Sequence, residues 1–352
     1  MRIKKILSMV ICFAVIASAL SPLAMAAQSD CAAGLSGFFA VTDGIIELVT
    51  RTLKSFDRRA IYGYFTGVGN IPELDKEYVP QGFCYIDSLD AYAITAYASG
   101  EPSVISLVNA STGERIKTVY LGYADGTHSK AHAGGIADIG DSLIVTIGDS
   151  IKRIKLSDIA LCSDYSTVVF SGSIQTDLTA CSYACSYGDN LLVGEFYTYT
   201  ADSSYTPDPA HFNFISLFER SYTYCEMFDM SDLDAAFSAE KPEVKAVFAM
   251  PNSVQGIAFD GKTLATAISY GRNNDSYLKY YDVSKAQVKT TEVYGQEVDL
   301  IILSRNCIEE TSVLPPMIEG IDMRNGKVAG IFESGAQKYS DSKFIISSIC
   351  EF

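Results

Sequence analysis

Tryptophan is absent, histidine occurs three times, and bases are outnumbered: 27 Lys and Arg stand against 42 Asp and Glu, a formal charge of −15. That balance gives no electrostatic reason to expect a polyanion, so nucleic acid is not an expected partner. No G-x-S-x-G elbow, H-E-x-x-H pair or EF-hand loop occurs, which removes several hydrolase and metal classes in their recognisable forms. No Cys-x-x-Cys pair occurs either, Cys181 and Cys185 being four apart. What is abundant is Tyr (22), Phe (18) and Gly (26), in a chain that is 48% hydrophobic and 20% charged. This mixture belongs to a folded globular protein built from strands and tight turns rather than helix bundles.

The N-terminus is organised differently. Arg2, Lys4 and Lys5 precede an apolar run over 6–20, followed by Ser21-Pro22 and the small-residue pattern Ala24-Met25-Ala26. This reads as a secretory signal peptide over 1–26, cleaved after Ala26. The run falls short of the ~20 apolar residues a membrane span needs, so no stable span is expected once it is removed. The expected location is secreted, outside the cell. Cys12 leaves with the signal; the eight other cysteines are even in number and permit disulfides, which a domain this large does not require.

Over 27–59 a helical segment is expected. Phe38, Phe39, Ile45, Ile46, Val49, Leu53 and Phe56 recur at helical spacing, with Asp43, Glu47, Arg51 and Lys54 between them. One amphipathic helix follows, packed against the side or mouth of the main domain.

From residue 60 onward the period becomes alternating and an internal repeat appears. Its starts are Gln81-Gly82-Phe83, Gly134-Gly135-Ile136, Ser182-Tyr183-Ala184, Gln255-Gly256-Ile257 and Glu319-Gly320-Ile321. After four of them come turns at Gly140-Asp141, Gly188-Asp189, Asp260-Gly261 and Asn325-Gly326, each followed by an apolar strand. Four antiparallel strands per unit, repeated in this way, describe a β-propeller, because each blade buries its faces only against its neighbours. The fold class is therefore all-β, a five-bladed β-propeller over 60–352. The last unit has three strands, so its fourth is expected from the N-terminal run over 61–67, closing the ring. Six blades is the alternative, since the third unit holds a long, poorly patterned stretch over 197–234.

Gly256-Ile257-Ala258-Phe259-Asp260-Gly261-Lys262-Thr263 fits the G-x-x-x-x-G-K-[ST] phosphate-loop pattern. It lacks the required following helix, and Asp260-Gly261 reads as a hairpin turn. His128 and His132 have i, i+4 spacing but sit in a loop leading into a strand, so a zinc site lacks its scaffold. His211 reads as surface structure.

The geometry of a propeller supplies a stronger argument. First-strand starts and second-strand ends converge on one mouth of the axial channel. They would bring together Gln81, His132, Ser182, Gln255 and Glu319, with Tyr97, Asp149, Glu195, Tyr270, Arg272 and Glu333 around them. The expected ligand set is Gln81, His132, Gln255, Tyr270, Arg272, Glu319 and Glu333. Catalytic candidates are Glu319, Glu333, Asp149, Glu195 and His132. The sequence names no cofactor and no dedicated metal ligands, though a ring of carboxylates admits Ca²⁺.

Tyr78-Val79-Pro80-Gln81-Gly82, His132-Ala133-Gly134-Gly135-Ile136-Ala137, Gln255-Gly256-Ile257-Ala258, Ser269-Tyr270-Gly271-Arg272-Asn273-Asn274-Asp275-Ser276, Leu314-Pro315-Pro316-Met317-Ile318-Glu319-Gly320 and Phe332-Glu333-Ser334-Gly335-Ala336 resemble the recurring motifs of exported bacterial β-propeller proteins of unassigned activity. The resemblance implies fold and export. Lactonase-like and glycoside-hydrolase propellers share this architecture, but Gln81 stands where arabinanase-like five-bladed enzymes place a catalytic Asp.

Three functional readings follow. The first is a secreted propeller binding a small polar ligand or glycan at the axial mouth. The second is a hydrolase or lyase using paired carboxylates, with or without Ca²⁺. The third is a protein-interaction scaffold presenting the Tyr-rich loops Tyr197-Thr198-Tyr199 and Tyr222-Thr223-Tyr224.

Overall fold

The computed structural model describes residues 62–63, 65–198, 206–215 and 219–352. The expected signal peptide and the expected helix of the 27–59 segment lie outside the described residues.

Among the described residues the chain forms five blades around one axis. Strand β1 (Thr66–Asn70) comes first in sequence and is the outermost strand of the last blade. Blade 1 follows with β2 (Val79–Ile86), β3 (Ala91–Tyr97), β4 (Val104–Asn109) and β5 (Arg115–Gly122). Blade 2 has β6 (Ala133–Ile139), β7 (Ser142–Ile147) and β8 (Ser150–Lys155). The chain then leaves it through helix α1 (Leu156–Leu161) and β9 (Thr167–Val169), and returns with β10 (Gly172–Gln175). Blade 3 comprises β11 (Cys181–Tyr187), β12 (Asn190–Glu195), a small hairpin of β13 (Asn213–Phe214) and β14 (Arg220–Ser221), β15 (Thr223–Asp229), helix α2 (Leu233–Ser238) and β16 (Val244–Met250). Blade 4 has β17 (Val254–Phe259), β18 (Thr263–Ile268), β19 (Ser276–Asp282), an inserted hairpin of β20 (Gln287–Val293) and β21 (Gln296–Ile302), and β22 (Ile308–Leu314). Blade 5 consists of β23 (Ile318–Arg324), β24 (Lys327–Phe332), β25 (Ser348–Glu351) and β1.

Tight turns join the first two strands of blades 2 to 5. They need left-handed backbone, supplied by Gly140, Gly188, Gly261 and Asn325-Gly326, all at positive φ. The phosphate-loop pattern is one of these turns: the Asp260 carboxylate accepts the N–H groups of Lys262 (2.9 Å) and Thr263 (2.6 Å) in a β17–β18 hairpin. The six-blade alternative falls because the described sheets form five blades, and among the described residues the stretch after β12 adds only the β13–β14 hairpin before the chain returns to blade 3. Closure occurs as expected in kind, with β1 pairing antiparallel to β25, though the strand starts later than the expected 61–67.

The innermost strands β2, β6, β11, β17 and β23 neighbour one another in cyclic order. Their glycines allow this. A Cβ on Gly320 would lie 2.5 Å from the Phe83 nitrogen, so blades 5 and 1 meet backbone to backbone. Blade 3, which has Tyr183 at the equivalent place, solves the problem inside itself: the buried Tyr183 ring occupies the space over Gly194 that any side chain there would fill. Between successive blades lie separate apolar clusters, such as Ile105, Val119, Leu143 and Val145 between blades 1 and 2, and Phe83, Tyr92, Ala329 and Ile331 between blades 5 and 1. Each sheet is thus buried on both faces.

The outer rim is strapped. β9 leaves blade 2 to pair in parallel with β5 of blade 1, and β21 leaves blade 4 to pair in parallel with β16 of blade 3. From blade 3, α2 reaches blade 2: Asp234 pairs with Arg153 at 2.5 Å and Phe237 lies against Gly172. The segment before β2 runs from blade 4, where the Gly63 N–H donates to the Val313 carbonyl at 2.8 Å, across blade 5 to blade 1.

The seven described cysteines are free thiols, all but Cys162 buried; Cys31 lies outside the described residues. Among the described residues no helix is long and apolar enough to cross a membrane.

Candidate functional site at the axial mouth

In every blade the pairing of the first two strands slips at the same place: Pro80/Phe83, Ala133/Ile136, Cys181/Tyr183, Val254/Gly256 and Ile318/Ile321. Such a bulge releases a residue from the ladder and re-aims it. Here the released positions include Gln81, Gly134, Ser182, Gln255 and Glu319, all of which line one cavity of about 320 Å³. A second tier stands where the second strands finish: Tyr97, Gly148, Phe196, Ser269 and Glu333. Gly148, Phe196 and Glu333 line the same cavity. Ser269 lines an adjoining recess of about 330 Å³, which shares Gln255, Glu319 and Glu333 and adds Arg272, Lys338 and Tyr339.

The two sides of this well differ. Blades 4, 5 and 1 supply amides, acids and cations, whereas blades 2 and 3 supply the small residues Gly134, Gly148, Ala180 and Ser182, with His132, Cys181 and Phe196 beside them. Two residues just ahead of the inner strands on the polar side, Ser253 and Met317, hold φ at 64° and 74°. Their carbonyls accept the N–H groups of Ser269 and Glu333, both at 2.9 Å. This strained construction, used twice, fixes the approach of Gln255 and Glu319 to the mouth.

Glu319 is 5% exposed, and among the described residues its carboxyl has no hydrogen-bond partner. Burial, then the neighbouring Glu333, pushes it well above the usual carboxylate range. Glu333 is pushed up to about 7 by burial, against the opposing pull of Gln81, Lys338 and Arg272. Its Oε1 accepts from Gln81 Nε2 at 2.7 Å. His132, at the rim, stacks on Tyr97 with ring centroids 3.7 Å apart; burial and the Lys338 ammonium lower its proton affinity. Lys338 Nζ donates to the Tyr97 hydroxyl at 3.2 Å, and the Arg272 guanidinium lies 4.6 Å from the Tyr339 ring centre.

Of the residues expected here, Gln81, His132, Ser182, Gln255, Glu319 and Glu333 line the first cavity, and Arg272 lines the adjoining recess. Exposed Tyr270 sits beside the recess, its carbonyl accepting from Asn274 Nδ2 at 2.8 Å. Asp149 lies outside the lining: it is exposed in the β7–β8 turn, and Gly148 takes the rim position. Glu195 also lies outside it, one residue too early on β12 and turned into blade 3. There Oε1 accepts from the Thr179 N–H (2.6 Å) and hydroxyl (2.8 Å), while Oε2 accepts from the Tyr224 N–H (3.0 Å) and meets His211 Nδ1 (2.8 Å). Burial opposes its charge, but His211 together with the Tyr224 and Thr179 N–H groups holds Glu195 below its ordinary value. His211, expected on the surface, is buried and stacked on Tyr224 with centroids 4.3 Å apart. Lys338, Tyr339 and Ser269 were missed from sequence: the first two carry no strand pattern, whereas Ser269 had a signal, being the blade 4 counterpart of Glu333. Among the described residues no three His, Cys, Asp or Glu side chains converge as a metal-holding group.

No family model matches the chain, and no curated protein matches it in sequence. By structure it is similar to glutaminyl cyclase of Myxococcus xanthus, at 7% identity and a TM-score of 0.41, over 77% of this chain and 90% of that one. It is also similar to the tail fibre of a Staphylococcus aureus phage, at 12% identity and a TM-score of 0.42, over 81% of this chain and 52% of that one. A third likeness is to Kuenenia stuttgartiensis hydrazine synthase, at 11% identity and a TM-score of 0.34, over 71% and 54%. The chain thus spans about half the length of the last two.

Proposed function

We propose that this protein is an exported β-propeller that binds a small, hydroxyl-rich ligand at the axial mouth. The observation that carries the reading is the repeated bulge, which delivers Gln81, Ser182, Gln255 and Glu319 into one cavity whose other side is left open by glycines. Amides and a protonated carboxyl both donate and accept, the chemistry that pairs with hydroxyl groups. The exposed His132 ring, stacked on Tyr97, offers a flat face at the rim. Export is supported by the N-terminal pattern over 1–26, and N-terminal sequencing of the protein from culture medium tests it: a chain starting at Ala27 is expected.

Calorimetric titration against neutral sugars and polyols tests the binding reading. Gln255→Leu is expected to weaken any hit about tenfold, the worth of one or two hydrogen bonds in a shielded site. Unchanged affinity in Gln255→Leu and Gln81→Leu would remove the site from consideration.

A second reading, an acid–base enzyme, is favoured by one observation: Glu319 and Glu333 line one cavity, and burial raises the proton affinity of both. Turnover of a hit, with a pH–rate profile that loses its limb near pH 7 in Glu333→Gln, distinguishes this from binding alone.

A further inference from the structure

We infer, building on the binding reading above, that the hydroxyl-rich ligand carries one carboxylate, seated between Arg272 and Lys338: the ligand class is a sugar acid. The chain is acidic, at −15, yet two cations converge on the recess that adjoins the main cavity. Neither is bonded to a buried carboxylate among the described residues. The carboxylate paired with Arg272 is the exposed Asp341, at 3.2 Å with 77% of its side chain accessible. Lys338 meets the Tyr97 hydroxyl and the faces of Tyr97 and Tyr339, at 5.3 and 5.4 Å, with no carboxylate bonded to it among the described residues.

The groups facing the recess are Glu319, Glu333, Arg272, Lys338 and Tyr339, with Asp341 beside Arg272 and with Tyr97 and His132 beyond Lys338. Below neutrality both glutamates hold protons for much of the time, so the two cations stand against the single charge of Asp341 and leave the recess net positive. A neutral polyol would leave that positive field unanswered. A ligand with two carboxylates would press its second charge onto the buried Glu319 and Glu333, where desolvation already opposes one charge. A single carboxylate on a polyhydroxy frame matches both parts: the anion on the rim cations, the hydroxyls on Gln81, Gln255 and Glu319.

Binding such an anion also favours the protonated form of Glu333. Affinity is therefore expected to hold below pH 7 and to fall above it, as proton uptake becomes part of the binding step.

The test pairs D-glucuronate with D-glucose, D-galacturonate with D-galactose, and D-gluconate with sorbitol, titrated by calorimetry into the full exported chain at pH 6 and pH 8. At least one acid is expected to bind about tenfold or more tightly than its neutral partner at pH 6. The preference should shrink at pH 8 and at 0.5 M salt. Arg272→Gln and Lys338→Met should each weaken the acid by a larger factor than the neutral partner, and so reduce the preference. A neutral partner that binds as tightly as its acid overturns the carboxylate inference and leaves the binding reading standing. No binding by any of the six overturns both. Arg272 and Lys338 lie on the surface, so their replacement does not threaten folding, and thermal melting of each variant checks this.

Discussion

Two buried glutamates on equivalent blades teach opposite lessons. Glu195 in blade 3 is 2% exposed and Glu319 in blade 5 is 5% exposed, so accessibility alone does not separate them. Partners do. Glu195 fills both oxygens with hydrogen bonds from Thr179, Tyr224 and His211, which makes it an internal rivet holding the loop after β12 against the blade. Glu319 has no hydrogen-bond partner among the described residues and opens onto a cavity. Unused hydrogen-bonding capacity facing a void, rather than burial, is what separates Glu319 from Glu195 and what the proposed binding site rests on.

That contrast breaks most visibly at Glu195. Glu195→Ala strands a buried His211, two backbone N–H donors and one hydroxyl, and is expected to cost about 3 kcal/mol in urea denaturation with no specific effect on the mouth. Glu319→Gln should do the reverse: stability within about 1 kcal/mol of the parent, and ligand affinity changed about tenfold. If the two results were exchanged, the assignment of structural and ligand-facing acid would be wrong.

A pH series sharpens the same comparison. Glu226, fully buried on β15, is pushed up to about 7 by burial, though the Tyr294 hydroxyl bonds to it at 2.9 Å. An acid with a raised folded-state value gives its full stabilisation below the unfolded value near 4.5, and loses it as pH rises through about 7. Burial acts the same way on Asp322, also at about 7. The urea midpoint should therefore decline from pH 5 to pH 8, and Glu226→Gln should make the decline shallower. Glu195 has the opposite sign, with its contribution lost as pH falls below the ordinary carboxylate value. The smallest effect is expected at Asp149→Ala. This exposed turn residue should shift stability by no more than ~0.5 kcal/mol and leave binding untouched.

The blades were legible because Gly-rich strand starts and Gly-containing turns recur in register. Gln81, Gln255 and Glu319 were placed at the mouth for the same reason. The second tier was harder: at a strand's end a single residue decides whether a side chain meets the channel or leaves it, so Glu195, one before Phe196, turns into blade 3 and Asp149, one after Gly148, turns to solvent. His211 carried no local signal, because its burial depends on Glu195, sixteen residues earlier, and on stacking with Tyr224. The rim straps were also illegible. β9 and β21 pair with strands of neighbouring blades, and no pattern inside a short strand says which sheet it will join.

Those straps bear on how the molecule comes apart. In an open solenoid each repeat answers only to its neighbours, and the ends fray first. Here β9, α2, the β20–β21 hairpin and the segment leading into β1 tie blade to blade outside the sheets, so loosening any one blade also peels a strand or helix from another. The ring should melt as one calorimetric unit over residues 62–352, and deleting a single blade should yield no smaller propeller, because the cut would also sever a fastening that belongs to the blade left behind.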